Sequence, residues 1–156
     1  MAAMTDFLEN KIIDFLFRAQ ALGITGSTAA AATGPASFFV ALFTANPTDT
    51  GGGTEVTGGA YARVAVASSL TNWAGTQGAA TTVASSGATG TTSNNGTITF
   101  PAPTAAWGVI TGFAIFDAST AGNMLIYGAL TTSKTVNSGD AAPVFSAAAL
   151  SFQIDN

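Results

Sequence analysis

The 156-residue chain contains no cysteine and no histidine, and it carries only 4 basic against 8 acidic side chains. The absence of cysteine excludes disulfides and thiolate metal sites, so the fold must hold by packing and hydrogen bonding. The absence of histidine removes the commonest general base and metal ligand at neutral pH. A net charge of −4 gives no attraction to phosphate backbones or anionic lipid surfaces, so neither a nucleic acid nor a membrane is expected as a partner. Glycine, threonine, serine or a charge interrupts every apolar run well short of the ~18 residues that cross a bilayer. No export signal is expected either, because Asp6, Glu9 and Asp14 stand where a basic start and an uninterrupted apolar centre belong. Composition thus argues against an enzyme, and no cofactor is expected.

What the chain does have is apolar material: 47% of its residues, enough for one compact core. Five of the twelve charges, Asp6, Glu9, Lys11, Asp14 and Arg18, fall in the first eighteen residues. There Phe7, Leu8, Ile12, Phe15, Leu16 and Ala19 recur at helical spacing, with Asp6 and Glu9 placed as an N-cap and its reciprocal partner. The spacing predicts an amphipathic helix that stops near Gly23 or Gly26. Its apolar face, Phe7, Leu8, Ile12, Phe15 and Leu16, either covers the chain's own domain or docks on a partner. The organisation expected is a helix over residues 1–23, an Ala/Thr/Gly linker over 24–37 ending at Gly34-Pro35, and a β-domain over 38–156.

From Phe38 onward the apolar pattern changes to period two. Ser37–Thr44 reads as a buried strand closed by the turn-forming Asn46-Pro47-Thr48-Asp49, and Tyr61–Val66 as a half-buried one. Thr97–Phe100 follows the turn dipeptide Asn95-Gly96, and Val109–Phe116 with Met124–Leu130 reads as a hairpin. At the end, Leu150, Phe152 and Ile154 alternate with Ser151, Gln153 and Asp155, which predicts a strand with one solvent face. Several short strands after one helix predict a mainly β protein: an antiparallel β-sandwich or jelly-roll-like domain with one N-terminal amphipathic helix. Residues 68–96, rich in Ala, Gly, Ser, Thr and Asn, read as a long surface excursion that packs on a neighbouring subunit or stays mobile. Trp73 is its largest anchor and a candidate interface residue.

No catalytic, cofactor-binding or metal-binding residue is assigned. Asp49, Glu55, Asp117 and Asp140 include enough acids for a glycosidase pair, but each reads more simply as part of a turn. Thr48–Gly59 has the glycines of a phosphate cradle without its Lys-Ser/Thr or its spacing. A calcium site at Asp49 and Glu55 lacks the regular spacing of an EF-hand. Trp73, Trp107, Tyr61 and Tyr127 read as core or interface anchors rather than as stacking platforms.

Three segments carry a resemblance: DFLENKIIDFLFR (Asp6–Arg18), FVALFTANPTDTGGGTEVTGGAYAR (Phe39–Arg63) and ITFPAPTAAWGVITGFAIFDASTAGNMLIYGALTTSKTVNSGD (Ile98–Asp140). Together, and in this order, they resemble a family of small tailed-bacteriophage virion proteins commonly labelled phage tail fibre proteins. The resemblance implies a non-enzymatic structural protein of the virion, and it brings no catalytic residues to carry over. A chain this short lacks the long repetitive shaft of an elongated fibre, which favours a capsid decoration or cement protein that stabilises the shell. The alternative is a tail or tail-fibre component, with a receptor- or carbohydrate-binding role. Either implies a homo-oligomer, dimer or trimer, in contact with phage capsid or tail proteins.

Overall fold

A computed structural model describes residues 4–25 and 34–154. Most of the linker expected at 24–37, and Asp155 of the final alternation, lie outside the described residues. Among the described residues the protein is mainly β with antiparallel pairing and one helix near its N-terminus, as the sequence predicts. The chain divides into two compact units, one formed by Met1–Ser37, Ala67–Ile98 and Phe145–Asn156, the other by Phe38–Val66 and Thr99–Val144.

In the first unit, α1 (Asp6–Phe17) starts after Thr5, whose carbonyl accepts the Leu8 and Glu9 N–H groups at 2.8 and 3.1 Å. Thr5 rather than Asp6 is therefore the N-cap. Asp6 and Glu9 lie in the first turn, where carboxylates meet the positive end of the helix dipole. The helix ends well before Gly23, because Ala19 adopts a left-handed φ of 54° and the Gln20 N–H turns back to the Asp14 carbonyl at 3.0 Å. Ile13 and Phe17, one turn apart, are buried, and Phe17 meets Trp73 and Phe152 with ring centroids 5.4 and 4.8 Å away. Trp73 and Phe152 also contact each other edge-on, so one aromatic triangle joins the helix, the 68–96 segment and the C-terminal strand. Within that segment lies β4 (Thr91–Ser93), which pairs antiparallel with β9 (Ser151–Gln153). The Asn95-Gly96 bend after it does not close a hairpin, since β4 pairs with β9 and β5 (Ile98–Thr99) with β8 (Val144–Phe145).

The second unit is built on a sheet of order β2-β1-β6-β7, where β1 is Ser37–Ala45, β2 Thr54–Glu55, β6 Gly108–Phe116 and β7 Met124–Val136. β3 (Val64–Ala67) also pairs with β1. The two central strands are apolar on both faces, which is why they read as continuous runs. Their register sets Ala41 opposite Ala114 and Phe39 opposite Phe116, giving a cluster with Phe43 and Met124 on one face. On the other face Val40 lies opposite Ile115 and Leu42 opposite Phe113. Gly112 sits where a side chain would strike the Gly128 carbonyl at 2.8 Å and the Asn46 amide, so the strand needs a glycine at this crossing.

Candidate functional site

Two clusters of polar side chains organise the units. In the first unit Arg18 is fully buried and uses all five of its N–H donors. Nε donates to the Trp73 carbonyl at 3.0 Å, Nη1 to Asp14 Oδ1 at 2.6 Å and Ser85 Oγ at 3.1 Å, and Nη2 to the Val83 and Thr81 carbonyls at 2.5 and 3.3 Å. Asp14 in turn accepts the Ser85 N–H at 2.8 Å and its hydroxyl at 2.6 Å. A turn earlier, Asn10 donates to the Gly87 carbonyl and accepts the Thr76 hydroxyl. One helix face, Asn10, Asp14 and Arg18, thus fastens residues 73–87. Asn94 does the same for the C-terminus: its Oδ1 accepts the Leu150 N–H at 2.9 Å and its Nδ2 donates to the Ser146 carbonyl at 2.8 Å.

In the second unit the Glu55 carboxylate receives Arg63 Nε at 2.9 Å, Arg63 Nη2 at 2.8 Å and the Tyr61 hydroxyl at 3.0 Å. Arg63 lies 3.5 Å over the Phe116 ring and donates from Nη1 to the Ala118 and Ala121 carbonyls at 2.9 and 2.8 Å. The hydrogen-bonded carboxylate raises the already high pKa of the guanidinium further. Burial, opposed in part by the bond from the Leu42 N–H, pushes the Tyr61 phenol well above its usual range. Asp117 takes both the N–H and the side-chain amide of Asn123 at 2.7 Å, which holds its carboxyl below the usual range. The β6–β7 tip is therefore held from beneath by Arg63 and internally by Asp117.

These contacts place the residues singled out by sequence. Phe7 is 58% exposed, while Leu8, Ile12, Phe15 and Leu16 are part-buried. The helix face turned into its own unit is Ile13 and Phe17 with the polar trio, which the apolar spacing did not select. Trp73 is fully buried and offers no ring face to a ligand. Trp107 and Tyr61 pack edge to face at 5.4 Å, and Tyr127 is exposed. Of the four acids, Asp140 closes a turn on the Asn137 N–H at 2.7 Å and Asp49 lies in the turn between Thr48 and Gly51. Glu55 stands in a strand, not a turn, as the ion-pair partner of Arg63. Among the described residues no group of three or more acids is placed to hold a metal ion.

A family model described as the podophage GP4 fiber I protein gp80 matches residues 3–153. The chain belongs to this family. No curated protein matches it. The gp80 family is one of fibre proteins, so this member is a structural component of the virion, in agreement with the resemblance carried by the three sequence segments. The fibre description also fits the tail-fibre alternative better than capsid decoration. The interior clusters of this gp80 protein are accordingly read as scaffold: its two arginines are spent on holding loops.

Proposed function

We propose that this gp80 protein is a non-enzymatic component of the phage tail fibre, assembling with further copies of itself and with neighbouring tail proteins. The observation that carries the reading is the fibre-family match over nearly the whole chain. The side chains are consistent with it, since Arg18, Arg63 and Asp117 hold backbone groups and Glu55 is paired with Arg63. We assign contact with the neighbouring tail protein to the helix side bearing exposed Phe7 and part-buried Leu8, Ile12, Phe15 and Leu16. Immunogold electron microscopy of intact virions with an antibody against this chain tests the assignment. Label confined to the tail and its fibres is the expected result, and label over the whole shell overturns it in favour of capsid decoration.

A further inference from the structure

We propose that Asn95 is a modification site gated by the fold: its side-chain amide is lost to deamidation only when the residues it grips open, and the product cannot grip them again. The chemistry is that of the Asn95-Gly96 dipeptide. The Gly96 nitrogen gives up its proton to hydroxide and attacks Asn95 Cγ, the Cγ–Nδ2 bond breaks, and Nδ2 takes a proton from water and leaves as ammonia. Water then opens the cyclic imide at either carbonyl, which yields aspartate or its isomer with the main chain routed through Cγ. Glycine permits the attack because no Cβ shields its nitrogen. Gly96 is exposed, so water and hydroxide reach the attacking group.

The folded protein opposes each step. Asn95 Nδ2 donates to the Thr81 carbonyl at 3.2 Å and the Leu70 carbonyl at 3.4 Å, so the leaving group is held by two acceptors, neither of which can supply the proton it needs. Oδ1, on which negative charge develops during the attack, is buried and accepts no hydrogen bond among the described residues, and an uncompensated charge there is costly. The Asn95 N–H, donated to the Asn72 carbonyl at 2.8 Å, fixes the backbone beside it. The Thr81 carbonyl also accepts Arg18 Nη2, so Asn95 and Arg18 hold the same loop. A carboxylate at position 95 has no N–H to offer and sets negative charge against the Thr81 and Leu70 carbonyl oxygens. In the isomer, the added main-chain atom also displaces Gly96, whose carbonyl accepts Asn94 Nδ2 at 2.6 Å, next to the Asn94 bonds that hold Ser146 and Leu150. Deamidation is therefore an irreversible loosening of the first unit, and it stands apart from where on the virion the protein sits.

Mass-spectrometric peptide mapping of the full-length protein, aged at mildly alkaline pH with and without guanidinium chloride, tests the gate. Conversion at Asn95 is expected to be slower in the native protein by roughly tenfold or more, because only the opened fraction reacts. Gly96→Ala, whose methyl enters open space, is expected to keep the native fold and to slow conversion in the unfolded chain. Equal rates in the two states, no conversion in the unfolded chain, or an unfolded Gly96→Ala chain that converts as fast as wild type each overturns the proposal. The consequence is read on Asn95→Asp, which carries the product side chain. Its β circular dichroism is expected to be retained, while the Gly75 N–H, donated to Thr81 Oγ1, and the Ser85 N–H, donated to Asp14, lose protection against hydrogen exchange. Protection equal to wild type at both amides, or loss of the whole fold, overturns the loosening.

Discussion

Arg18 Nη1 lies 2.6 Å from Asp14 Oδ1, one helical turn away, and both side chains are buried. On a solvent-exposed helix such a pair is worth a few tenths of a kcal/mol. Here it is the centre of a network in which three carbonyls and a serine depend on the same guanidinium. Removing one partner of a buried ion pair leaves an uncompensated charge, which costs about 3–5 kcal/mol.

Arg18→Ala is therefore expected to destabilise the first unit by about that amount, and Arg18→Lys to recover little because an ammonium cannot reproduce the fork. Urea titration measures the first effect. Hydrogen exchange supplies the localisation, with protection lost in residues 73–87 before it is lost in β1 or β6. An unaltered unfolding midpoint in Arg18→Ala would remove the network from any account of stability.

Trp73 gives the second prediction. Its ring is fully buried between Phe17 and Phe152, so Trp73→Ala empties the aromatic triangle and is expected to cost about 3–5 kcal/mol. Deleting residues 1–20 removes Phe17 and Arg18 together, and is expected to unfold the first unit instead of merely releasing an arm. Circular dichroism and limited proteolysis of the truncated protein distinguish these outcomes.

How legible all this was depends on the kind of contact involved. The central strands announced themselves, since Phe38–Phe43 and Ile110–Phe116 are apolar on both faces and Met124 follows a turn of small residues. The helix was visible too, but its inward face was not. Leu8, Ile12, Phe15 and Leu16 form the better apolar stripe, whereas the unit is gripped by Ile13, Phe17 and three polar residues whose partners lie 55 to 77 positions away. Composition marked 68–96 as loop because Ser, Thr, Gly and Ala do not report long-range hydrogen bonds. Ser85, Thr76 and Asn94 act through small hydroxyl, amide and backbone groups, and the period of hydrophobicity carries no trace of them. Glu55 and Arg63 were visible as charges, but their meeting depends on the pairing of β2 and β3 with β1.

A third prediction concerns alkaline pH. The Tyr61 phenol has a folded-state pKa above the ordinary value of 10.0, so the folded protein holds this proton more tightly than the unfolded chain does. The stability it contributes is fully present below about pH 10 and is lost as pH rises from there toward the raised folded value. Chemical denaturation between neutral pH and pH 11 is expected to show wild type losing stability more steeply than Tyr61→Phe above pH 10. The substituted protein starts lower, because the Leu42 N–H and Glu55 lose a partner. Parallel curves for the two proteins would show that Tyr61 does not carry the dependence.

The sheet crossing at Gly112 supplies a fourth. A methyl group there meets the Gly128 carbonyl, fixed in the paired strand β7, and the Asn46 side-chain amide, so Gly112→Ala is expected to cost about 1–3 kcal/mol by overpacking. Asn46→Ala removes one of the two obstacles and the acceptor of the Thr111 hydroxyl. The double variant is expected to be less destabilised than the sum of the singles, a coupling that thermal denaturation of the four proteins resolves.

Asp117 tests the hairpin tip itself. Its two bonds from Asn123 hold the folded carboxyl below its usual pKa, so the contribution is present above the ordinary carboxylate value and is lost as pH falls through the lowered one. The group is exposed, and the effect is therefore expected in local order, not in global stability. Asp117→Ala should speed amide exchange at Asn123 and at the tip residues 119–122 while leaving β1 and β6 protected. The Arg63 bonds to Ala118 and Ala121 remain, so the tip should loosen without detaching. Glu55→Ala removes the carboxylate that orients Arg63, and combining it with Asp117→Ala should free the tip entirely. Exchange at residues 119–122 no faster in the double variant than in Asp117→Ala alone would show that Arg63 holds the tip without help from Glu55.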